Sequence, residues 1–140
     1  MNLDKILSIA GKPGLYRLIS QARNGVVIES LTDGKRLVAG TAERISRLSE
    51  IFMFTTSEDK PLPEILSIIK EKFGMELPVN PRSDNKALMD FFANVLPDYD
   101  RERVYPSDIK KLVSWYLILK DMPEETTEKP KGENSENTNV

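Results

Sequence analysis

Two serine motifs are the residues of this sequence whose spacing comes closest to that of an active site. Ser107 and Lys110 have the S-x-x-K spacing of penicillin-recognising serine enzymes, and Ser83, Asp84 and Asn85 match their S-D-N motif. In those enzymes S-x-x-K comes first and a K-T-G motif follows, whereas here the order is reversed and K-T-G is missing. Ser and Asp are also favoured at helix N-termini. We therefore interpret both motifs as helix caps.

A glycine-containing run at residues 10–14, AGKPG, resembles part of a phosphate-binding loop. Ile6 stands where the upstream glycine should be, and Pro13 replaces the Ser or Thr that would contact magnesium. Because Pro-Gly is a strong turn signal, a turn is the better interpretation.

Asp98, Asp100 and Glu102 are the densest carboxylates ahead of the acidic tail. Closely spaced carboxylates can bind Mg²⁺ or share acid–base chemistry. Here they alternate with Arg101 and Arg103, which indicates a charged connector that neutralises itself. We predict no metal site.

Basic side chains on the predicted N-terminal strands and turns are the main candidates for ligand binding. They are Lys12, Arg17, Arg23, Lys35 and Arg36, and Tyr16 lies among them as an aromatic that could stack on a base. Exposed strands and sheet edges commonly carry such charges for other reasons. Residues 1–56 hold eight basic and five acidic groups, a small excess for a nucleic-acid binder. Nucleic-acid binding is therefore the alternative hypothesis and not the first.

The composition excludes several classes of chemistry. The sequence contains no Cys and no His, which removes disulfides, thiolate zinc sites, cysteine nucleophiles and the Ser-His-Asp triad. Its 39% hydrophobic and 30% charged residues are typical of a soluble domain. No apolar run approaches the roughly 20 residues that span a bilayer, and Asp4 interrupts the short N-terminal patch. We expect a cytoplasmic protein without a signal peptide, membrane span or cofactor.

The first 56 residues have the pattern of a small β-rich unit. A short helix is predicted at 3–10, and one or two helical turns at 41–48. Strands are predicted at residues 15–22, 26–31, 36–39 and 51–56. Asn-Gly at 24–25 and Asp-Gly at 33–34 indicate tight turns between strands. Together they predict a curled β-meander, an SH3-like or Tudor-like open barrel.

From residue 57 the apolar spacing becomes helical. Helices are predicted at 64–73, ending at Gly74, and from Ser83 or Asp84 to about residue 96. A third helix, capped by Ser107, presents one apolar face. That face consists of Ile109, Leu112, Val113, Tyr116 and Leu119, with Trp115 at its flank. Tyr99 and Tyr105 are predicted to anchor the connector before this helix. Residues 123–140 lack the apolar side chains needed to fold, so disorder is predicted there.

Three motifs occur together in this chain: GKPGLY at 11–16, DGKR at 33–36 and SDIKK at 107–111. In this combination and order the chain resembles a small uncharacterised family of Bacteroidetes proteins, which carries an N-terminal and a C-terminal domain of unknown function. The resemblance covers most of residues 1–120. It implies a two-part architecture in a bacterial cytosol and supplies no catalytic residue.

The sequence therefore predicts an α+β protein in three parts. These are an SH3-like β-meander or open barrel at 1–56, a helical subdomain at 57–122 and a disordered acidic tail at 123–140. Our first functional hypothesis is a non-catalytic interaction or adaptor module that binds a protein partner or self-associates, with Trp115 as its apolar contact. The expectation is of no enzyme activity, no small-molecule substrate and no membrane partner.

Overall fold

The computed structural model describes residues 3–12 and 14–121, and two short parallel strands at Asn134–Ser135 and Asn137–Thr138. The predicted disorder of residues 123–140 falls, apart from those strands, outside the described residues. The described part combines an antiparallel sheet with three helices, so the α+β class is confirmed.

The N-terminal half forms a five-stranded antiparallel sheet. Its strands are β1 (Ile6–Ile9), β2 (Tyr16–Ala22), β3 (Gly25–Ser30), β4 (Arg36–Gly40) and β5 (Ile45–Arg47). Strands β1 to β4 pair in succession as a meander, in which β2, β3 and β4 match the strands predicted at 15–22, 26–31 and 36–39, and β5 returns to the free side of β1. Strands β4 and β5 are the two edges, and the sheet is open.

The connection from β4 to β5 requires the sheet to curl. Only residues 41–44 join these strands, although the strands lie at opposite edges. A flat sheet would separate the edges by about 19 Å, roughly four interstrand spacings, whereas this link reaches about 18 Å at most. The link also runs from one end of the sheet to the other. Gly40 pairs with Gly25 at the end that holds the β2–β3 hairpin, and Ile45 pairs with Ile9 at the opposite end. The curled inner face encloses a small core, the sheet core, whose buried residues are Leu7, Ile9, Ile28 and Ala39.

Two segments predicted to be helical are strands. Residues 3–10 contain β1, and residues 41–48 contain β5, followed by a 3-10 turn at Leu48–Glu50. The side chains of β1 point to both sides of the sheet. Leu7 and Ile9 enter the sheet core and Ile6 enters the core beneath the helices. A strand buried on both faces loses its alternation of apolar and polar residues, so its spacing can match that of a helix.

The predicted strand at 51–56 does not belong to the main sheet. Only Phe52–Met53 (β6) is a strand, and it pairs with Lys60–Pro61 (β7). Thr55 then makes a single β-bridge with Tyr99. This segment leads the chain from the sheet into the helices.

The predicted Asn-Gly hairpin is present, with its loop one residue earlier. Ala22 pairs with Gly25, so the two loop residues are Arg23 and Asn24. Gly25 is the first residue of β3, where a Cβ atom would lie 1.9 Å from the carbonyl oxygen of Ala39. The close approach of β3 and β4 explains why glycine occupies this position.

The three helices are α1 (Leu62–Phe73), α2 (Asn85–Val95) and α3 (Pro106–Leu119). As predicted, α1 ends at Gly74, which has a φ of +65°. The side chain of Asp84 caps α2 by accepting a hydrogen bond of 2.8 Å from the Ala87 amide. None of the described helices has both the length and the apolar character to span a bilayer.

The predicted cap of α3 is wrong. Tyr105 is the capping residue, Pro106 occupies the first turn, and Ser107 lies inside the helix. The Asp108 carboxylate accepts a hydrogen bond of 2.9 Å from the Tyr105 amide, which satisfies a donor that the helix leaves free. Pro106 favours this start because its fixed φ suits the first helical position.

The main core, here called the shared core, lies under the helices. All five residues of the predicted α3 face are buried in it. Leu3, Ile6, Leu15 and Leu48 from the N-terminal half are buried in the same core. The domain boundary predicted after residue 56 stays a prediction, because the two parts share this core.

Candidate functional site

An apolar groove of about 200 Å³ lies between residues 51–54 and the N-terminal half of α3. Its walls are formed by Ile51, Phe52, Met53, Phe54, Leu62, Val104, Asp108, Lys111, Leu112 and Trp115. Pockets that hold drug-sized molecules or cofactors are commonly about 300–1,000 Å³. This groove instead has the size to accept one or two side chains.

Backbone hydrogen bonds on both sides hold the strand wall of the groove in place. The Leu62 amide donates to the Ile51 carbonyl at 2.8 Å, and the Asp100 amide donates to the Phe54 carbonyl at 2.9 Å. The segment between them is therefore fixed to α1 on one side and to the connector before α3 on the other. The side chains of this segment are therefore held in position along one wall of the groove.

The aromatic side chains of the groove are unusually accessible. Phe52 is 54% exposed and Phe54 is 38% exposed, whereas Met53 between them is buried. Trp115 faces them from α3 and is half-buried. Exposed apolar patches of this kind are typical of interaction surfaces.

Charged groups form the rim. Asp108 and Lys111 lie on the α3 wall. Above the strand wall, the Arg103 guanidinium lies 4.2 Å from the centre of the Phe54 ring and forms an ion pair with Asp100 at 2.9 Å. The hydrogen bond from Arg103 holds the pKa of the Asp100 carboxyl below its usual value. An apolar floor with a charged rim is the usual anatomy of a protein interface.

Asp98 and Asp100 of the connector already have hydrogen-bond partners within the protein. Asp100 accepts from Arg103 and from the Glu102 amide, and Asp98 lies 3.3 Å from the Ser57 hydroxyl. Across residues 3–12 and 14–121, no cluster of three or more His, Cys, Asp or Glu residues has the geometry of a metal site.

The structure disperses the basic residues predicted to bind a ligand. Arg17, Glu29 and Arg36 lie in one row across three strands, since Arg17 pairs with Glu29 and Glu29 with Arg36. Glu29 and Arg36 form an ion pair of 3.8 Å. Arg23 is exposed in the hairpin at one end of the sheet. Glu29 therefore lies between Arg17 and Arg36 and interrupts this row of basic residues.

The remaining members of the set lie elsewhere. Lys12 and Lys35 are exposed in turns at the end of the sheet opposite the hairpin. Tyr16 packs against the sheet core, and its neighbour Arg17 points to the other face because strand side chains alternate. Tyr16 and Arg17 therefore do not share a surface.

Of the predicted site residues, only Trp115 lies in the groove. Phe52 and Phe54 were not predicted as site residues, because their segment was predicted to be a strand of the meander. Their spacing of two residues in the run IFMF was the available signal. The predicted anchoring role of Tyr105 is wrong, since its side chain is 60% exposed, whereas Tyr99 is buried as predicted.

Two family models match the chain, and each is described as a domain of unknown function: DUF5606 over residues 3–48 and DUF6852 over residues 51–119. The chain is also similar to a structural genomics target from Bacteroides vulgatus, solved by solution NMR, with 44% identity and a TM-score of 0.71. The match covers 86% of this chain and 87% of that one. No curated protein matches the chain.

Proposed function

The chain belongs to the uncharacterised Bacteroidetes family that joins the domains of unknown function DUF5606 and DUF6852, and we propose that it is a non-catalytic interaction module that binds a protein partner through the apolar groove. The observation that carries this proposal is the exposure of Phe52 and Phe54 opposite the half-buried Trp115. Aromatic residues in a recess with a polar rim are the residues that most often dominate binding energy at protein interfaces.

The polar groups of the groove give less support to catalysis. Asp108 already accepts a hydrogen bond from the Tyr105 amide as part of the helix cap. The other charged group of the lining is Lys111, and no hydroxyl or second carboxylate lies beside it in the lining. A nucleophile paired with a base, the usual signature of covalent catalysis, is therefore not assembled by the groove lining.

Nucleic-acid binding through the sheet stays the alternative. It has less support because Glu29 lies between Arg17 and Arg36, while Arg23 lies at the opposite end from Lys12 and Lys35. We retain the SH3-like interpretation of the sheet as part of the proposal, supported by its curl and its open edges. A cytoplasmic location is likewise our proposal.

The test compares two exposed apolar side chains of the same chain. Phe52→Ser changes the groove, and Val38→Ser changes an equally exposed position (59%) on the edge strand β4. Each variant and the wild type are used to capture partners from a lysate of the native cell, with and without nuclease, and their self-association is measured by analytical ultracentrifugation.

We expect Phe52→Ser to lose partners or self-association that Val38→Ser keeps, with no effect of nuclease. Equal capture and equal association by all three proteins would contradict the proposal. Loss of partners after nuclease treatment in every protein would favour the nucleic-acid alternative instead.

A further inference from the structure

We propose that the groove binds a partner segment that presents an acidic side chain beside an apolar anchor residue. The inference rests on the proposed function, because it takes the groove as the binding surface and names the chemistry of its occupant. It follows from which charged side chains around the groove already have a hydrogen-bond or ion-pair partner.

A cation lies beside the aromatic residue of each wall. Lys111 precedes Trp115 by four residues on α3, so the two side chains are neighbours on the same helical face. Across the groove, the Arg103 guanidinium lies over the Phe54 ring at 4.2 Å. An apolar side chain inserted between Trp115 and Phe54 therefore lies close to Lys111 on one side and to the Arg103–Asp100 ion pair on the other.

The anions at the groove are already engaged. Asp108 accepts from the Tyr105 amide at 2.9 Å in the first turn of α3, where the helix dipole also stabilises negative charge. Asp100 is engaged by Arg103 at 2.9 Å. By contrast, Lys111 is exposed and has no ion-pair partner within the part of the chain that the structure describes. Lys111 is therefore the charged side chain of the groove lining that is left to contact a partner, and a carboxylate of the partner is its complement.

Two other occupants are outcomes of the test. Residues 122–140 of the same chain supply five acidic residues, but Met122 and Val140 are their only hydrophobic side chains. That segment offers the charge without an aromatic or branched anchor beside it. A second copy of the chain would offer the exposed Phe52 as an anchor. The exposed Glu50 lies two residues before Phe52, so self-association through the groove is measured as a separate outcome of the test.

The test uses the full chain and two sets of synthetic 12-residue peptides. Both sets carry the same Leu and Phe residues at helical spacing, and the flanking residues are Glu and Asp in one set and Lys in the other. Trp115 is the only Trp of the chain, so its fluorescence reports directly on the groove. Binding is measured by titration at low and high salt.

We expect the acidic set to bind about tenfold more tightly than the basic set, the effect of one charge-assisted contact, and the difference to shrink at high salt. Lys111→Glu should remove or reverse the preference. Lys110→Glu is the matched control, because it makes the same charge change at the adjacent exposed residue outside the groove lining. It should change the preference by less than about twofold.

The outcomes separate this inference from the function on which it rests. Equal binding of the two sets, lost in Phe52→Ser, would overturn the acidic preference and leave the interaction groove in place. Failure of both sets to bind, together with self-association that Phe52→Ser abolishes, would assign the groove to a second copy and overturn the inference. Binding unaffected by Phe52→Ser would overturn both proposals.

Discussion

The sheet core and the shared core differ in how much of the chain each one needs. The sheet core is enclosed by β1 to β5 alone, with four buried side chains. The shared core draws on residues from Leu3 to Leu119 and includes all three helices. Four of its residues, Leu3, Ile6, Leu15 and Leu48, lie in the segment that matches the first family model. The two matched segments are therefore distinct in sequence, but the second buries side chains of the first.

Separating the two segments tests whether the sheet core is stable without the shared core. We expect a fragment of residues 1–50 not to fold, because it keeps the small sheet core and exposes four apolar side chains that the helices bury. Chains of this size bury a smaller fraction of their surface than larger domains do and are only marginally stable. The amide dispersion of its NMR spectrum and its urea unfolding would show this, with the full chain as control. Cooperative unfolding of the fragment would instead establish an independent domain.

Within the intact chain, the largest effect should come from the shared core. Phe92 is fully buried there, with its ring centre 4.9 Å from that of Tyr99. We expect Phe92→Ala to lower the free energy of unfolding by about 3–5 kcal/mol. Phe52→Ala makes the same chemical change at an exposed position and should cost less than about 1 kcal/mol. Similar losses in the two variants, measured by urea denaturation, would mean that the groove is part of the core.

The sheet core can be tested through the contact between β3 and β4. Gly25→Ala places a methyl group 1.9 Å from the Ala39 carbonyl oxygen, so the two strands must separate. We expect a loss of roughly 2–3 kcal/mol in the free energy of unfolding. Its cross-strand partner provides the control: at Gly40 the nearest atom to an added Cβ is 3.9 Å away. A Gly40→Ala variant as destabilised as Gly25→Ala would argue against this explanation.

Trp115 is neither fully buried like Phe92 nor as exposed as Phe52. Full burial would predict a loss of about 3–5 kcal/mol for Trp115→Ala. Because the side chain is half-buried and lines the groove, we expect about 1–2 kcal/mol together with loss of partner binding. Chemical denaturation and the capture experiment give the two quantities separately. A full-sized loss of stability would place Trp115 in the core and weaken the groove proposal.

Whether an element is buried on one side or on both sides explains how well the sequence could predict it. The helices expose one side to water, so their apolar residues repeat at helical spacing, and every residue of the predicted α3 face is buried. Strand β1 has buried residues on both sides, since Ile6 faces one core and Ile9 the other. Its pattern therefore carries no alternation, and the helix predicted at 3–10 was wrong. Strand β5 is three residues long and owes its position to pairing with β1.

The groove was less accessible to prediction than the fold. Trp115 could be identified as a residue at the flank of an apolar face, because its place on the helix follows from local spacing. Phe52 and Phe54 face it only because the chain leaves the main sheet after Arg47 and forms β6 and β7 beside α3. That arrangement depends on contacts between segments some 60 residues apart in the sequence, which local patterns do not specify.

The smallest expected effect concerns the charged connector above the groove. The hydrogen bond from Arg103 and the bond from the Glu102 amide hold the pKa of Asp100 below its ordinary value of 3.8. A carboxyl whose pKa is lower in the folded state stabilises the fold fully above its unfolded value, and this contribution is lost as the pH falls through the folded value. We therefore expect Asp100→Asn to lower stability at neutral pH and to flatten its decline below about pH 4. Free energies of unfolding between about pH 7 and pH 2 would measure this, with Asp59→Asn at an exposed site as control. Parallel acid profiles for Asp100→Asn and the wild type would show that the ion pair with Arg103 adds nothing to the stability of the connector, and that Arg103 is held over Phe54 by other contacts.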